Sequence, residues 1–280
     1  MLGVIGGSGI YESLGFENGY EDRVQTPFGS PSALLEVGEV AGREVAFLPR
    51  HGRDHQYDPT TVPYRANVYA LKQAGVDQVV ATNAVGSLRN SLAPRTLVVP
   101  NQLFDRTRDR PRSFFGDGIV VHVSMAEPFC ARLAAHLVDA GGATDADVVE
   151  GGTHVCIEGP QFSTRAESEF YRDRGFDVIG MTTVPEAQLA REAELCYVPL
   201  AGVTDYDVWH DEEAVSLETV LGHAAANEAS MSAVLSELVD GLPEADCECH
   251  HTLENAINTP AEAIGRGARQ DVSLLIDDYI

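Results

Sequence analysis

Several short runs in this chain are apolar at nearly every position: Leu2–Ile5, Val45–Leu48, Val79–Ala81, Leu97–Val99, Val178–Met181 and Tyr197–Val203. A strand with one wet face alternates polar and apolar residues. These runs do not, which predicts strands covered on both sides. Between them, Ala66–Ala74, Pro128–Ala140, Arg165–Arg174 and Pro185–Glu194 carry helix-like spacing. Pro128 and Pro185 each precede helix formers, as first-turn prolines do. The alternation continues almost to residue 240 and closes with a longer amphipathic helix over Leu217–Leu238. The pattern predicts an α/β fold, a single domain over residues 1–242 whose largely buried sheet is flanked by helices. Residues 243–280 read as a C-terminal extension, with a Cys247-Glu-Cys-His-His251 cluster and a helix-like stretch from Thr259.

Charge narrows the partners. The 280 residues include 43 acidic and 19 basic side chains, a formal net charge of −24. Nucleic acid and anionic membrane surfaces call for basic protein, so neither is expected as a partner. No apolar run approaches the roughly 18 residues of a spanning helix. The opening MLGVIGGSGI has no basic n-region or processing site, so the expected location is cytoplasmic. Lys72 is the single lysine. An acidic surplus with so little lysine fits a salt-loaded cytoplasm, where a Debye length of about 3 Å at 1 M salt screens self-repulsion.

Four segments carry candidate chemistry. Gly3-Val-Ile-Gly-Gly-Ser-Gly9 runs a strand into a glycine turn, where backbone can approach an anion and Ser8 adds a hydroxyl. It is not a dinucleotide fingerprint, because Glu12 stands where the third glycine belongs, and it is no Walker loop. Pro49-Arg-His-Gly-Arg-Asp-His55 follows a strand and concentrates Arg50, Arg53 and two histidines in a chain poor in positive charge. That position and that chemistry suit an anion. Ala81-Thr-Asn-Ala-Val-Gly-Ser87 ends a third strand in small and donor-bearing residues. Val203-Thr-Asp-Tyr-Asp-Val-Trp209 places Asp205 and Asp207 two apart, on one side of an extended chain. Such a pair can hold a proton, accept from an exocyclic amine or bind a metal; the residues alone leave this open.

Taken in order, Gly6-Gly-Ser-Gly9, Arg50-His-Gly52, Asn83-Ala-Val-Gly-Ser-Leu88, Met125-Ala-Glu-Pro-Phe129, Glu158-Gly-Pro-Gln-Phe-Ser-Thr-Arg-Ala-Glu167, Gly180-Met-Thr-Thr-Val-Pro-Glu186 and Thr204-Asp-Tyr-Asp207 resemble the trimeric purine nucleoside phosphorylases. Within them the match is to the 5′-methylthioadenosine phosphorylase type, over residues 1 to about 240. The resemblance implies a central mixed sheet, a homotrimer, and no metal or organic cofactor. It also implies phosphorolysis of an N-glycosidic bond, with inorganic phosphate as co-substrate. By position, Ser8, Arg50, His51, Asn83, Ala84 and Thr182 would hold phosphate. The family usually has threonine at the places of Ser8 and Asn83. Phe162, Ser163 and Met181 would line base and ribose, and Asp205 and Asp207 would face purine N7 and the 6-amino group. Asp205, Asp207 and His51 are the implied catalytic residues. His122 would reach the ribose of a neighbouring subunit. Leu217, Val220 and Leu221 would meet the 5′ end of the sugar.

The two carboxylates favour a 6-amino purine, since members acting on inosine-type bases usually carry asparagine there. The alternatives are a broad or 6-oxo-purine phosphorylase, a catalytically silent purine-binding regulator, and a metal or redox sensor working through the tail. Cys130, Cys156 and Cys196 are expected to be small core residues. The tail cluster can bind a soft metal, close a strained Cys-x-Cys disulfide, or be incidental. Four potential ligands in five residues crowd one tetrahedral ion, so no metal is expected there.

Overall fold

A computed structural model describes residues 1–210, 217–243 and 246–280, apart from the side chains of Ser8, Leu217 and Thr219. The strands are β1 (Leu2–Gly6), β2 (Glu17–Asp22), β3 (Leu35–Val40), β4 (Arg43–Pro49), β5 (Gln78–Ser87), β6 (Leu97–Val99), β7 (Gln102–Arg106), β8 (Val148–Glu150), β9 (Thr153–Ile157), β10 (Val178–Gly180) and β11 (Cys196–Asp205). The helices are α1 (Ser8–Leu14), α2 (Tyr64–Gln73), α3 (Ala131–Gly142), α4 (Arg165–Asp173), α5 (Thr183–Glu192), α6 (Leu217–Gly241), α7 (Arg266–Asp271) and α8 (Ser273–Ile276).

All strands join one mixed sheet, ordered β2-β3-β4-β1-β5-β10-β9-β7, with β11 on β5, β6 on β11 and β8 on β6. The uniformly apolar runs are its covered strands. β11 is buried at every residue, and successive residues of β1 and β4 feed opposite faces. Ile5, Ala46 and Leu48 pack under α2 and α5, whereas Val4, Val45 and Phe47 pack under α1, α3 and α6. The extension adds to both faces, with Leu253, Leu275 and Ile276 on the first and Cys249 on the second.

One irregularity of the sheet positions the site. β1 pairs parallel with β5 only as far as Ala81, and β10 pairs antiparallel with the same edge only at Gly86 and Ser87. Between these contacts, Thr82 to Val85 have no strand on that edge. The opposite edge is paired throughout with β11. A gap where two strands diverge is where open α/β sheets place ligands.

Some local expectations are corrected. α3 starts at Ala131 with Cys130 as its cap, the Cys130 thiol accepting from the Leu133 amide, so Pro128 lies in the preceding loop. The regular part of α5 does start at Pro185, because Val184 is extended (φ −105°, ψ 129°). The glycine turn leads directly into α1, and the acidic edge strand β2 has no apolar periodicity to announce it. The last stretch breaks into a 3-10 turn and the short α7 and α8.

Candidate active site

A cavity of about 350 Å³ opens at the gap in the sheet. Its floor is β5 from Thr82 to Gly86. Arg50 and His51 enter from the end of β4, and Met181 and Thr182 from the end of β10. Asp205 and Asp207 close the far side, and Val220, Ala224, Asn227, Glu228 and Met231 of α6 form the wall.

At one end, Arg50 is buried to 3% exposure. Its Nε donates to Glu186 Oε1 at 2.5 Å and its Nη2 to Glu186 Oε2 at 3.1 Å. Nη1 donates to the Thr82 carbonyl at 2.8 Å and Nη2 to that of Ile5 at 3.5 Å. Glu186 also accepts from the Tyr197 hydroxyl at 2.9 Å. The fork expected to grip an anion is therefore taken by a carboxylate, and most of the five guanidinium donors are committed. Glu186, in a segment singled out by sequence but given no role there, is the partner sequence reasoning missed. Beside this pair, Asn83 Nδ2 donates to Thr182 Oγ1 at 2.8 Å, and the buried Asn83 Oδ1 has no partner.

His51 Nδ1 lies 2.8 Å from the Tyr57 carbonyl, and its ring stacks on His55 with centroids 4.4 Å apart. Burial, reinforced by the Arg50 charge, lowers its pKa to about 4. The imidazole is thus neutral near pH 7. A carbonyl only accepts, so Nδ1 carries the hydrogen and Nε2 is left as an acceptor.

At the other end, Asp205 Oδ2 accepts from the Thr204 hydroxyl at 2.7 Å and Oδ1 from the Asp207 amide at 2.8 Å. Burial raises the pKa of both Asp205 and Asp207 from the ordinary aspartate value. Asp207 Oδ2 is buried without a hydrogen-bond partner. The pair does not share a side by strand alternation. β11 ends at Asp205, and Asp207 opens a 3-10 turn at φ +53°. Trp209 pins that turn, donating Nε1–H to the Ser87 carbonyl at 2.8 Å under the guanidinium of Arg172. Gly86 gives it close room, since a Cβ there would meet Asp205 Oδ1 at 3.0 Å and Asp207 Cβ at 3.3 Å, both tight contacts.

Phe162 and Ser163 line the cavity just ahead of α4. The Thr164–Glu167 capping box fixes their approach, Thr164 N donating to Glu167 Oε2 at 2.8 Å. The structure thus gathers Arg50, His51, Asn83, Ala84, Thr182, Phe162, Ser163, Met181, Asp205, Asp207 and Val220 around one space.

Four expected residues fare differently. The side chains of Ser8 and Leu217 lie outside the described residues. Leu221 is 59% exposed and does not line the cavity, because the inward stripe of α6 runs through 220, 224, 227, 228 and 231. His122 is exposed and also absent from the lining; its amide donates to the Ala256 carbonyl at 2.9 Å. Asn227, Glu228, Met231 and Ile10 line the cavity without having been singled out. The first three follow Val220 at helical spacing, the one signal that was available to find them.

The profile of the phosphorylase superfamily matches residues 1–240. The S-methyl-5'-thioadenosine phosphorylase of Koribacter versatilis is 45% identical over 283 residues, covering 99% of this chain and 96% of that relative. The one from Geobacter sulfurreducens is 44% identical and covers 100% and 99%. Among solved structures, a methylthioadenosine phosphorylase from an antarctic soil metagenomic library superposes with a TM-score of 0.94 at 43% identity, covering 98% of each chain. The Schistosoma mansoni methylthioadenosine phosphorylase in complex with adenine gives 0.84 at 35% identity, covering 99% of this chain and 97% of that one. These full-length matches run through the extension as well as the body. With its fold, its cavity and its relatives in agreement, this chain belongs to the phosphorylase superfamily, in the group of the methylthioadenosine phosphorylases.

Proposed function

We propose that the protein cleaves 5′-methylthioadenosine with inorganic phosphate, giving adenine and 5-methylthioribose 1-phosphate. The observation that carries this reading is one cavity lined at once by the Asn83–Thr182 donors and by the buried Asp205–Asp207 pair. The phosphate oxygen bonds to the anomeric carbon as the bond to purine N9 breaks. The bonding pair leaves with the base, which takes up a proton at N7.

Phosphate sits beside Arg50, His51, Asn83, Ala84 and Thr182, with Ser8 as the further donor. Because Glu186 already balances Arg50, the anion is held by a remaining guanidinium hydrogen, side-chain and backbone donors, and little net charge. Neutral His51 offers Nε2 to a protonated phosphate oxygen. Fixing the anion beneath the sugar stabilises the oxocarbenium-like centre and removes the entropic cost of bringing it in, worth up to about 7–11 kcal/mol. No metal or organic cofactor takes part in this scheme.

Asp205 and Asp207 act on the base as one coupled unit. Burial makes Asp205 a carboxyl able to hold the proton that N7 receives. The unpartnered Asp207 Oδ2 accepts from a 6-amino group, where a 6-oxo purine would set acceptor against acceptor. Phe162, Ser163 and Met181 enclose base and ribose. Val220, Ala224 and Met231 offer the 5′ substituent an apolar wall. A methylthio contact is worth only about 1–3 kcal/mol, so adenosine is a slower substrate of the same site.

The same reading makes the enzyme a cytoplasmic homotrimer of a high-salt cell. Support comes from the charge of −24, and from His122 and Leu221, which stand exposed where a neighbouring copy can use them. Among the described residues, no helix is long and apolar enough to cross a membrane. The residues 243–280 are a structural extension of the catalytic unit 1–242.

The test is purine release in multimolar salt from methylthioadenosine, adenosine, methylthioinosine and inosine, with and without phosphate. Phosphate-dependent adenine release, fastest from methylthioadenosine, is expected. Dominant hypoxanthine release would overturn the roles given to Asp205 and Asp207, and tight purine binding without turnover would make the protein a silent regulator.

A further inference from the structure

The cysteines fall into two groups that the sequence does not separate. Cys156 is alone in the core beside α5, its sulfur 3.3 Å from the Val184 amide. The other four converge. Cys130 caps α3, Cys196 begins β11, and Cys247 and Cys249 come from the extension. All four sulfurs lie within 4.8 Å of one another, and none is in a disulfide. Cys130 and Cys196 are buried core residues, as expected, and in addition they stand beside the two cysteines of the extension. The crowding within Cys247–His251 does not bear on this group, because its donors come from three separate segments and not from five consecutive residues.

We propose that Cys130, Cys196, Cys247 and Cys249 form a structural site for a thiophilic divalent cation, zinc, that clamps the extension onto the catalytic body. Zn–S bonds of about 2.3 Å in a regular tetrahedron set S···S edges near 3.8 Å. The Cys130 and Cys247 sulfurs are 3.7 Å apart, almost that edge and nearly twice the roughly 2.05 Å of a disulfide. The sulfurs form one mutual group of four.

The surroundings point the same way. Arg132 Nη2 lies 3.6 Å from Cys196 Sγ, and Arg191 Nη1 lies 3.6 Å from Cys249 Sγ. The Leu133 amide donates to Cys130 Sγ at 3.4 Å, and His250 Nε2 is 3.6 Å from Cys196 Sγ. Arg132 Nε and Nη1 are buried with no hydrogen-bond partner, and no ion pair joins a carboxylate to Arg132 among the described residues. Neutral disulfides would leave that guanidinium without a counter-charge. When four thiols bind a divalent ion, their protons leave and the centre carries a net charge of −2, which two arginines and an amide offset. Because the ligands span the start of α3, the start of β11 and the extension, metal binding is coupled to docking of the extension.

The experiment uses the full chain, purified from zinc-supplemented cells without chelator or oxidant. Stoichiometric zinc is expected by elemental analysis, released on titration with an organomercurial. Replacement by Co(II) should give sulfur-to-cobalt charge-transfer bands and the intense d–d absorption of a tetrahedral thiolate site. Cys247→Ser, at the one partly accessible sulfur of the four, and Cys249→Ser, at a buried one, should each lose the metal and melt several degrees lower. Both should keep methylthioadenosine phosphorolysis within about twofold at ambient temperature. Metal-free protein with four freely titrating thiols would overturn the proposal, as would an intact mass showing two disulfides. None of the metal readouts depends on turnover, so they stand or fall apart from the proposed reaction.

Discussion

At the Arg50 end of the cavity each charge meets its partner before any ligand arrives; at the aspartate end two carboxylates are buried with no cation in ion-pair range among the described residues. Arg50 and Glu186 form a bidentate pair at 2.5 and 3.1 Å, 3% and 0% exposed as residues. Asp205 and Asp207 have only neutral donors, and burial raises the pKa of each. The difference follows the chemistry each end must do. A site that binds a dianion and releases a sugar phosphate needs fixed donors whose net charge does not trap the product. A site that protonates a leaving base is served by a carboxyl whose hold on its proton is strengthened.

Removing the proton carrier should produce the largest loss. Asp205→Asn is expected to lower kcat/KM for methylthioadenosine by about 10²- to 10⁴-fold with the phosphate KM little changed, as steady-state kinetics in both substrates would show. If only the phosphate KM rose, the two ends would have been assigned the wrong way round. Arg50→Ala should do the reverse, acting first on the phosphate KM.

The next break is in stability. Glu186→Ala leaves a buried guanidinium without its counter-charge, at a cost of about 3–5 kcal/mol by chemical denaturation. Arg50→Met together with Glu186→Leu should recover much of that stability without recovering activity.

Acid separates the ends in a third way. His51 and His154 are both held neutral by burial, with pKa values of about 4 against 6.5 for a free imidazole. The unfolded chain protonates first, so their stabilisation is full above pH 6.5 and declines as pH falls toward 4. The raised carboxylates Asp205 and Asp207 work in the opposite sense, because the folded state takes up their protons first. Denaturant midpoints followed from pH 7 to 4 should therefore fall, and His154→Asn should flatten the curve.

Smaller effects are expected along α6. Val220→Thr should narrow the preference for methylthioadenosine over adenosine by up to about 1–3 kcal/mol. Leu221→Ala, off the inward stripe, should change the kinetics of an isolated chain least; a large effect would mean that a neighbouring copy uses this face.

The amino-acid sequence by itself determined the α/β class, the covered strands and the segments that supply the site. These rest on local signals: uniformly apolar runs, helical spacing and glycine turns at strand ends. It was silent on β2, whose exposed Glu17–Asp22 edge has no apolar period to detect. Only the tertiary structure decided how charges and sulfurs are shared. Glu186 lies 136 residues from Arg50, and Cys247 lies 117 from Cys130. Asp207 reaches the cavity through a left-handed turn and not through strand alternation. Periodicity records which face of an element is covered. It holds no record of which distant side chain covers it, and pairing of buried charges and thiols is fixed by that second choice.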